Sequence, residues 1–504
     1  MSPMGATRMP ALMLVVLLSA LGYAVAVPIW DSDFWWHIAS GRTIWHDGAL
    51  PEVDPFGVFG NENPIRNETI LKGQWLGQIL LYGIYELGGA HAIVALRVTL
   101  LLLSLLLVHS RLRQFNIPLA GRLAAVALIG LCLQGYTGDR PQLFSIFFAA
   151  LTFWVVDRAG QDQAPRLYFL LPLIALVWAN MHGGVVLGSA LLIVHALMHW
   201  WRSRSNQAGA GNATKLLLAA ALFAAATLLT PNGLDAYAYI FDLQGSNLQA
   251  RTSEYTSALK IYQLGHNGLQ VWVGFALLFA FLGMLGQLRA MPGQALLIAL
   301  LLALSIESFR YLVFLLVVTA PYVVQGLSHL VRRLPRPAAN MGRGLVVSGG
   351  IVLASIAFVV LSQGSAPRSG INSHRYPVQL GATDMPLQGR AFNFMNWGGY
   401  LLWHDPKLTP YIDGRMLDDK RLVPYTHMLW ASGQGQIWFE QADFDWVLIP
   451  HRNQQGEIYG LNAYLEHHPQ WSVHRRDGNG TLYRNLNNVQ AANPVSAGSV
   501  GARK

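Results

Sequence analysis

The chain has 504 residues, of which 53% are hydrophobic and 12% are charged. Its 35 Lys and Arg residues against 26 Asp and Glu residues give a net charge of +9, which in a soluble protein would suggest nucleic-acid binding. Apolar runs recur as far as residue 362, however, so the composition excludes an ordinary soluble enzyme and indicates a multi-pass membrane protein. The single cysteine, Cys132, excludes a disulfide within the chain.

Apolar runs between charged loops predict about eleven membrane spans. They lie near residues 11–30, 90–109, 122–138, 142–157, 167–181, 185–201, 215–230, 269–287, 293–308, 311–330 and 344–362. Basic residues cluster in alternate short loops, which places those loops and the N-terminus in the cytoplasm. Residues 31–89, 231–268 and everything after 363 then face the outside. A cleaved signal peptide is the alternative for the N-terminus, since Ala24-Val25-Ala26 resembles a cleavage site.

Three regions follow from this pattern. Residues 1–362 form a predicted transmembrane helical domain with a long first outer loop at 31–89, whose end, Gly73 to Leu87, fits an interfacial amphipathic helix. Residues 363–486 lack long apolar runs and are predicted to form a small soluble α/β domain, joined through a linker at Gln363–Ser373. Its predicted strands are Thr409–Ile412, Trp446–Pro450, Trp471–Arg475 and Thr481–Arg484, and its predicted helices lie near Leu422–Ala431 and Leu461–His468. Residues 487–504 are predicted to be disordered.

The segment Asp31-Ser-Asp-Phe-Trp-Trp-His37 follows directly on the first apolar stretch. An ionised carboxylate is costly near hydrocarbon and usually faces a cavity, a partner or a reacting group. Tryptophans are ordinary at a bilayer interface, so Trp35 and Trp36 either anchor the chain there or stack on a sugar. We therefore expect this segment to form the edge of an active site.

Several further motifs accompany this segment. They are Gly41-Arg42, Asp54-Pro-Phe56, Arg140-Pro-Gln-Leu-Phe-Ser145, Trp178-Ala-Asn-Met-His-Gly-Gly184, Asn396-Trp-Gly-Gly-Tyr400 and Ile412-Asp-Gly-Arg415. Together they cover nearly the whole chain, which resembles the bacterial GT-C superfamily of membrane glycosyltransferases. That superfamily includes protein O-mannosyltransferases, aminoarabinose transferases and oligosaccharyltransferases. The resemblance implies a mostly helical bundle in the bacterial inner membrane with its active site facing the periplasm.

The resemblance also implies a polyprenyl-phosphate-linked sugar as donor and a hydroxyl group of a glycan, lipid or protein as acceptor, with no nucleic acid involved. Nucleotide sugars are not supplied outside the cytoplasmic membrane, so a lipid-borne donor fits the predicted topology. An inverting transfer of this kind needs a carboxylate base and a cation for the departing phosphate. Asp31 is the preferred base because the superfamily places its catalytic Asp directly after the first span. Asp33 is the second candidate, and helix capping is an equal alternative for it.

No cofactor is required by the resemblance, and no residue is assigned as a metal ligand. A divalent cation, if one binds, would be held by Asp31 and Asp33. Relatives often carry an acidic residue before the tryptophan of the first outer loop, whereas this chain has Gly73-Gln74-Trp75. Gln74 can donate and accept hydrogen bonds but cannot act as a base.

Four cationic residues are candidates to bind the donor phosphate. Arg310 is the first choice, because a guanidinium at the outer turn between two short spans can contact a phosphate with two hydrogen bonds. Arg140 follows, with an internal pairing to Asp139 as the alternative, and then Lys72 and Arg251. Arg97 lies within the second span and is expected to snorkel towards the interface.

The remaining candidates are predicted to bind substrate, and they are Trp35, Trp36, His37, Arg42, Asp54, His182, Trp397 and Tyr400. For His182 a structural role in a tight turn is the alternative. Trp397 and Tyr400 either form an exposed aromatic loop that binds the acceptor or pack the core of the small domain, and Asp413 and Arg415 either serve that site or form a turn ion pair. Two functions remain open beside sugar transfer: a non-catalytic transporter or assembly subunit for lipid-linked sugars, and a glycan ligase or polymerase.

Overall fold

The computed structural model describes residues 3–60, 63–161, 164–204, 210–243, 257, 269–331, 341–363, 370–381, 387–453 and 455–489. The chain divides into two compact units. Unit 1 comprises Met1–Asp31, Ser40–Leu50 and Glu68–Ile371, and unit 2 comprises Ser32–Ala39, Pro51–Asn67 and Asn372–Lys504. Arg251, most of the predicted linker and the tail beyond residue 489 lie outside the described residues.

Unit 1 is helical. Its described helices are α1 (Pro3–Val25), α4 (Trp75–Gln114), α5 (Leu119–Leu133), α6 (Gln142–Gln161), α7 (Leu170–Met181), α8 (Val185–Ser203), α9 (Ala210–Ala226), α10 (Asp235–Leu243), α11 (Leu269–Gln287), α12 (Pro292–Glu307), α13 (Leu312–Val331) and α14 (Met341–Gln363). Helices α2 (Asp33–Asp47) and α3 (Pro64–Lys72) contribute residues to both units.

The apolar helices confirm a multi-pass membrane protein. Among the described residues, six helices are long and apolar enough to cross a bilayer, and five shorter apolar helices accompany them. Each predicted span overlaps one of these helices. Some ends differ from the predicted ones: α1 ends at Val25 rather than near 30, and α5 ends at Leu133 rather than near 138, where a turn at residues 134–136 follows.

Helix α4 contains a break that the sequence predicts. Gly88 and Gly89 have non-helical backbone angles, with φ of +58° at Gly89, a conformation that glycine adopts at little cost. The break separates Trp75–Leu87 from the apolar run that begins at residue 90, as the predicted interfacial helix and second span require. Small residues also let α11 and α13 approach closely, since a Cβ at Gly286 would collide with the backbone of Gly326.

Unit 2 contains a five-stranded sheet in the order β2-β1-β3-β5-β4. The strands are β1 (Gly389–Asn393), β2 (Leu408–Pro410), β3 (Trp446–Pro450), β4 (Trp471–Arg476) and β5 (Gly480–Asn485). β1 pairs in parallel with β2 and β3, and β5 runs antiparallel to β3 and β4. The helices are α15 (Val378–Gly381), α16 (Met395–His404), α17 (Leu422–Leu429), α18 (Gly433–Gln441), α19 (Gly460–Glu466) and α20 (Leu486–Val489). All four predicted strands and both predicted helices are present; β3 has the predicted bounds, and the ends of the others are shifted.

The segment Asn396–Tyr400 differs from the expected exposed loop, because it lies within α16. Its glycines serve helix packing: a Cβ at Gly398 would collide with the carbonyl oxygen of Ile412, and one at Gly399 would lie 3.0 Å from the backbone nitrogen of Trp36. Trp397 belongs to the core of unit 2 together with Leu401, Leu448 and Leu482. The glycine pair therefore permits close contact of backbones rather than a flexible loop.

Candidate active site

Asp31 and Arg140 form an ion pair in unit 1. The Nε atom of Arg140 lies 3.1 Å from Oδ2 of Asp31, and the Asp31 side chain is largely buried. Asp31 lies six residues beyond the end of α1, and Arg140 lies in the turn between α5 and α6. Gly138 makes this approach sterically possible, because a Cβ there would collide with the Asp31 carboxylate.

A second ion pair lies beside the first. Arg97 of α4 contacts Asp139 at 3.0 Å, and both side chains are fully buried. Arg97 also donates to the carbonyl oxygen of Val27 at 2.7 Å, and the backbone N–H of Trp30 donates to Asp139 at 3.4 Å. Burial raises the pKa of Asp139. The positive charge of Arg97 lowers this pKa, and the negative charge of Asp31 raises it further. The expectation that Arg97 snorkels is wrong, because a buried carboxylate holds its guanidinium inside the bundle.

His182 has partners that its sequence position did not indicate. The backbone N–H of Gly184 donates to Nδ1 of His182 at 3.0 Å, so Nδ1 is unprotonated and the ring proton lies on Nε2. Ser145 Oγ lies 2.7 Å from the same Nδ1 and accepts a hydrogen bond from the Trp178 indole at 2.7 Å. Burial and the charges of Arg310 and Arg140 lower the pKa of His182 to about 3. His182 is therefore a neutral imidazole within the field of two arginines.

The turn that carries Arg310 contacts the segment that precedes Arg140. Phe309, Arg310 and Tyr311 form a short 3-10 helix between α12 and α13. The Tyr136 hydroxyl donates to the carbonyl oxygen of Phe309, and the rings of Tyr136 and Phe309 stack at 4.4 Å. Both arginines thus lie at one end of the unit 1 bundle, with His182 close to both.

Unit 1 therefore brings together four residues that the sequence singles out: Asp31, Arg140, His182 and Arg310. The side chain of Lys72 instead lies 3.7 Å from that of Glu68 in its own helix. Arg42 interacts electrostatically with Tyr82 and Glu86 of α4. Sequence reasoning missed the roles of Ser145 and Trp178. Both residues belong to motifs that carry the family resemblance, and their membership in these motifs is the signal that points to them.

In unit 2, Asp54 pairs with an arginine. The Arg415 guanidinium contacts Asp54 and Asp413, with 2.6 Å to Oδ2 of Asp413, and all three side chains are buried. Burial would raise the pKa of Asp54, but Arg415 and the backbone N–H groups of Phe59 and Phe56 lower it below its usual value. Asp54 is thus the partner of Arg415, a role that differs from the predicted substrate contact. The predicted turn ion pair between Asp413 and Arg415 is present.

The other predicted residues of unit 2 are mostly buried. Trp35 packs edge-on against Tyr376 at 5.5 Å and Tyr400 at 5.1 Å, and its ring has no solvent exposure. The Trp397 indole donates to the carbonyl oxygen of Arg375 at 2.7 Å. These contacts favour the packing alternative for Trp397 and Tyr400, and they give Trp35 a packing role that differs from both interfacial anchoring and stacking on a sugar. Trp36 and His37 are likewise buried.

Asp33 is half-buried in the first turn of α2, which begins at this residue, so its carboxylate lies at the positive end of the helix dipole. It faces the turn Asp413-Gly-Arg415, since a Cβ at Gly414 would collide with its Oδ1. Within the described residues, no three His, Cys, Asp or Glu side chains are grouped to hold a metal ion.

Comparison with known proteins identifies structural relatives only. No family model matches the chain, and no curated sequence is similar to it. The oligosaccharyltransferase AglB from Archaeoglobus fulgidus, solved with an inhibitory peptide and a dolichol-phosphate, superposes with a TM-score of 0.56 at 13% identity. The match covers 94% of this chain and 74% of AglB.

Two further structures are similar. The mycobacterial arabinofuranosyltransferase AftD has a TM-score of 0.56 at 15% identity, over 95% of this chain and 40% of AftD. ArnT from Cupriavidus metallidurans, bound to undecaprenyl phosphate, has a TM-score of 0.50 at 11% identity, over 96% of this chain and 98% of ArnT. At such identities the likeness establishes the fold, and it confirms at that level the resemblance expected from the sequence.

Proposed function

Since the chain has the fold of the GT-C membrane glycosyltransferases, we propose that it transfers a sugar from a polyprenyl-phosphate-linked donor to a hydroxyl group of an acceptor. The observation that carries this proposal is the Asp31–Arg140 ion pair, in which a carboxylate and a guanidinium group lie 3.1 Å apart beyond the end of the first apolar helix. These two groups are the ones that the reaction requires.

Arg140 and Arg310 bind the donor phosphate in this proposal. Their charges both act on His182, which indicates that the two guanidinium groups face a common region. A guanidinium has five N–H donors, so Arg140 can keep its contact with Asp31 through Nε while its terminal nitrogens bind phosphate oxygens. The neutral His182 adds an Nε2–H donor without adding charge.

Asp31 acts as the general base. The acceptor oxygen attacks the anomeric carbon from the face opposite the phosphate, its proton passes to Asp31, and the bond from the anomeric carbon to the phosphate oxygen breaks. The electron pair of that bond leaves with polyprenyl phosphate, and the configuration at the anomeric carbon inverts. Arg140 and Arg310 stabilise the negative charge that develops on the phosphate.

The reaction runs without a metal in this proposal, because Arg140 already supplies the cation that pairs with Asp31. The proposed location is the bacterial inner membrane, with Asp31 on the periplasmic side. The basic residues of alternate loops support this orientation.

The proposal is tested with purified protein in liposomes that contain polyprenyl-phosphate pentoses and hexoses labelled in the sugar. Release of polyprenyl phosphate and transfer of label to periplasmic glycan and lipid extracts are measured by chromatography and mass spectrometry. Asp31→Asn should reduce transfer at least about a hundredfold, the usual contribution of a general base, while donor binding persists. Arg310→Gln should instead weaken donor binding.

Asp47→Asn is the matched control, because Asp47 is an exposed carboxylate at the end of α2 and should leave transfer unchanged. Near-normal transfer by Asp31→Asn would remove Asp31 from the role of base. Donor binding without any transfer by the native protein, for every acceptor extract, would favour the transporter. Loss of transfer on adding EDTA would contradict a metal-free reaction.

A further inference from the structure

Unit 1 contains an apolar cavity of about 520 Å³ between α5, α11, α13 and α14. Its walls include Gly121 and Leu131 of α5, Trp272 and Ala276 of α11, and Leu315 and Leu327 of α13. The two hydroxyl groups in the lining, those of Thr319 and Ser355, donate to carbonyl oxygens of their own helices. Apart from the indole N–H of Trp272, which has no hydrogen-bond partner in the described part of the chain, the walls offer a ligand almost only hydrocarbon.

The cavity is elongated along the helix axes. Its lining on α13 runs from Leu315 to Leu327, which at 1.5 Å per residue is about 18 Å. The hydrocarbon core of a bilayer is roughly 30 Å thick, so the cavity is slightly taller than one leaflet. A single lipid chain, standing roughly parallel to the helices, matches these dimensions.

A basic cluster adjoins one end of the cavity. Arg122 follows the lining residue Gly121, and it shares a helix face with the lining residues Ala125 and Ile129, three and seven positions further on. The charges of Arg113 and Arg122 both act on the ring of His109, so the three groups are close together. The side chains of Arg113, Arg122 and His109 thus lie near one another at the Gly121 end of an apolar cavity.

This cluster has no acidic partner among the described residues. Four polar atoms near the cluster are shielded from solvent and have no hydrogen-bond partner in the described part of the chain. They are Nε of Arg122, Nε2 of His109 and the two polar atoms of the Gln114 side-chain amide. No side chain in the described ranges caps the N-terminus of α5, so its first backbone N–H groups add positive potential. Unpaired buried donors of this kind cost free energy unless a ligand satisfies them.

The cluster lies far from the proposed reaction site. Arg97, which pairs with Asp139, and Arg113 are separated by sixteen residues of the same helix, or about 24 Å. The end of the bundle that carries Arg113 and Arg122 is the end that charge distribution places in the cytoplasm.

We propose that this cavity and the Arg113–Arg122–His109 cluster bind one anionic phospholipid of the cytoplasmic leaflet. The lipid phosphate would contact Arg122 and Arg113, and one acyl chain would fill the cavity. Charge complementarity favours an anionic headgroup at this cluster, and its position selects a phospholipid of the cytoplasmic leaflet over the glycosyl donor, whose phosphate belongs at the opposite end of the bundle beside Arg140 and Arg310. The inference stands independently of the proposed transfer reaction.

The test uses the full-length protein in nanodiscs of phosphatidylcholine doped with phosphatidylglycerol of identical chains. Native mass spectrometry after release into detergent should find one retained phosphatidylglycerol on the native protein. Arg113→Gln with Arg122→Gln should weaken that retention about 30-fold, equivalent to about 2 kcal/mol, at the usual contribution of two basic residues beside an anionic lipid. Ala276→Phe, which fills the cavity, should reduce the retention of phosphatidylcholine and of phosphatidylglycerol to the same extent.

Arg204→Gln is the matched control, since Arg204 stacks on Trp200 outside the cluster and should retain phosphatidylglycerol normally. Phosphatidylglycerol should also raise the melting temperature of the native protein and raise that of the double variant less. Equal retention by the native protein and the double variant would overturn the proposal. So would displacement of phosphatidylglycerol by equimolar polyprenyl phosphate, which would assign the cavity to the donor chain.

Discussion

Asp54 illustrates what residue type and local sequence leave undetermined. The turn Asp54-Pro-Phe56 suggests a functional carboxylate, yet its partner Arg415 lies 361 positions away in the sequence. The Arg415 guanidinium also lies 4.8 Å from the centre of the Phe56 ring. A buried arginine that satisfies two carboxylates fixes the turn 413–415 and the segment around Asp54 within unit 2.

The Asp54–Arg415 pair predicts a stability that depends on acid pH. The pKa of Asp54 is lower in the folded chain than its usual value, so the folded state binds fewer protons than the unfolded state, and stability rises with pH. The contribution is fully present above the unfolded pKa of about 4 and is lost as pH falls through the lower, folded value. Asp54→Asn should therefore destabilise unit 2 by about 3–5 kcal/mol at pH 7, the usual effect of breaking a buried pair.

Thermal unfolding of the full chain, followed by tryptophan fluorescence from pH 7 to pH 2, measures this effect. The difference between native protein and Asp54→Asn should shrink as the pH falls below about 4. Glu68→Gln is the control: its pair with Lys72 is partly exposed, so the change should stay within about 1 kcal/mol. A difference for Asp54→Asn that is constant across this range would show that its charge does not matter.

At the residue scale, the sequence identifies reactive residue types better than it identifies their partners. Asp31, Arg140, Arg310 and His182 are recognisable because polar groups are rare beside membrane spans. The ring state of His182 depends on Gly184 and Ser145, and only the packing of α6 against the turn after α7 brings Ser145 there. The position of Arg97 within a span does not reveal its buried partner Asp139.

Helix α13 shows how a proline is accommodated by a neighbouring element. In a regular helix the carbonyl oxygen of Val317 would accept from the N–H of residue 321, but Pro321 has none. Arg111 of α4 supplies the missing donor at 2.7 Å and also donates to the carbonyl oxygen of Val318. Its charge is balanced by Asp157 of α6 at 2.7 Å, so one ion pair ties three helices together.

This ion pair predicts an asymmetry between single and double substitutions. Arg111→Leu should destabilise unit 1 by about 3–5 kcal/mol, because it leaves the Asp157 carboxylate buried without its cation. Arg111→Leu combined with Asp157→Leu should be less destabilised than either single variant, since no buried charge remains. Thermal unfolding in detergent measures all three. Additive losses in the double variant would show that the two side chains act independently.

At the element scale, the apolar helices of unit 1 follow from length and hydropathy, whereas β1 and α16 are among the elements of unit 2 that do not follow from pattern. Strand β1 has no alternation of apolar and polar residues because it lies between two strands and buries most of its side chains. Helix α16 contains two consecutive glycines, which ordinarily weaken a helix. Close contacts with the 412–413 backbone and with α2 compensate, and these contacts are long-range.

At the scale of the whole molecule, the two units interleave along the chain in a way that composition does not reveal. Hydropathy separates residues 1–362 from the rest, but residues 32–39 and 51–67 belong to unit 2. The sequence of such short segments does not indicate which unit they join, and the Trp35–Tyr400 and Asp54–Arg415 contacts that place them are long-range. Hydropathy therefore gives no indication that parts of the loop after α1 belong to unit 2.

The membrane orientation is the prediction on which the location of the proposed active site depends. Cys132 is the single cysteine and is fully buried in α5, so a Cys132→Ala background allows new cysteines to be labelled one at a time. In intact cells a membrane-impermeant maleimide should label Glu52→Cys and Gln434→Cys, both at exposed positions of unit 2. Ser205→Cys and Ala338→Cys, in segments rich in basic residues that are predicted to be cytoplasmic, should react only after permeabilisation. Because Asp31 and Glu52 precede the next predicted span together, labelling of Glu52→Cys only in permeabilised cells would place Asp31 in the cytoplasm and exclude a periplasmic transfer.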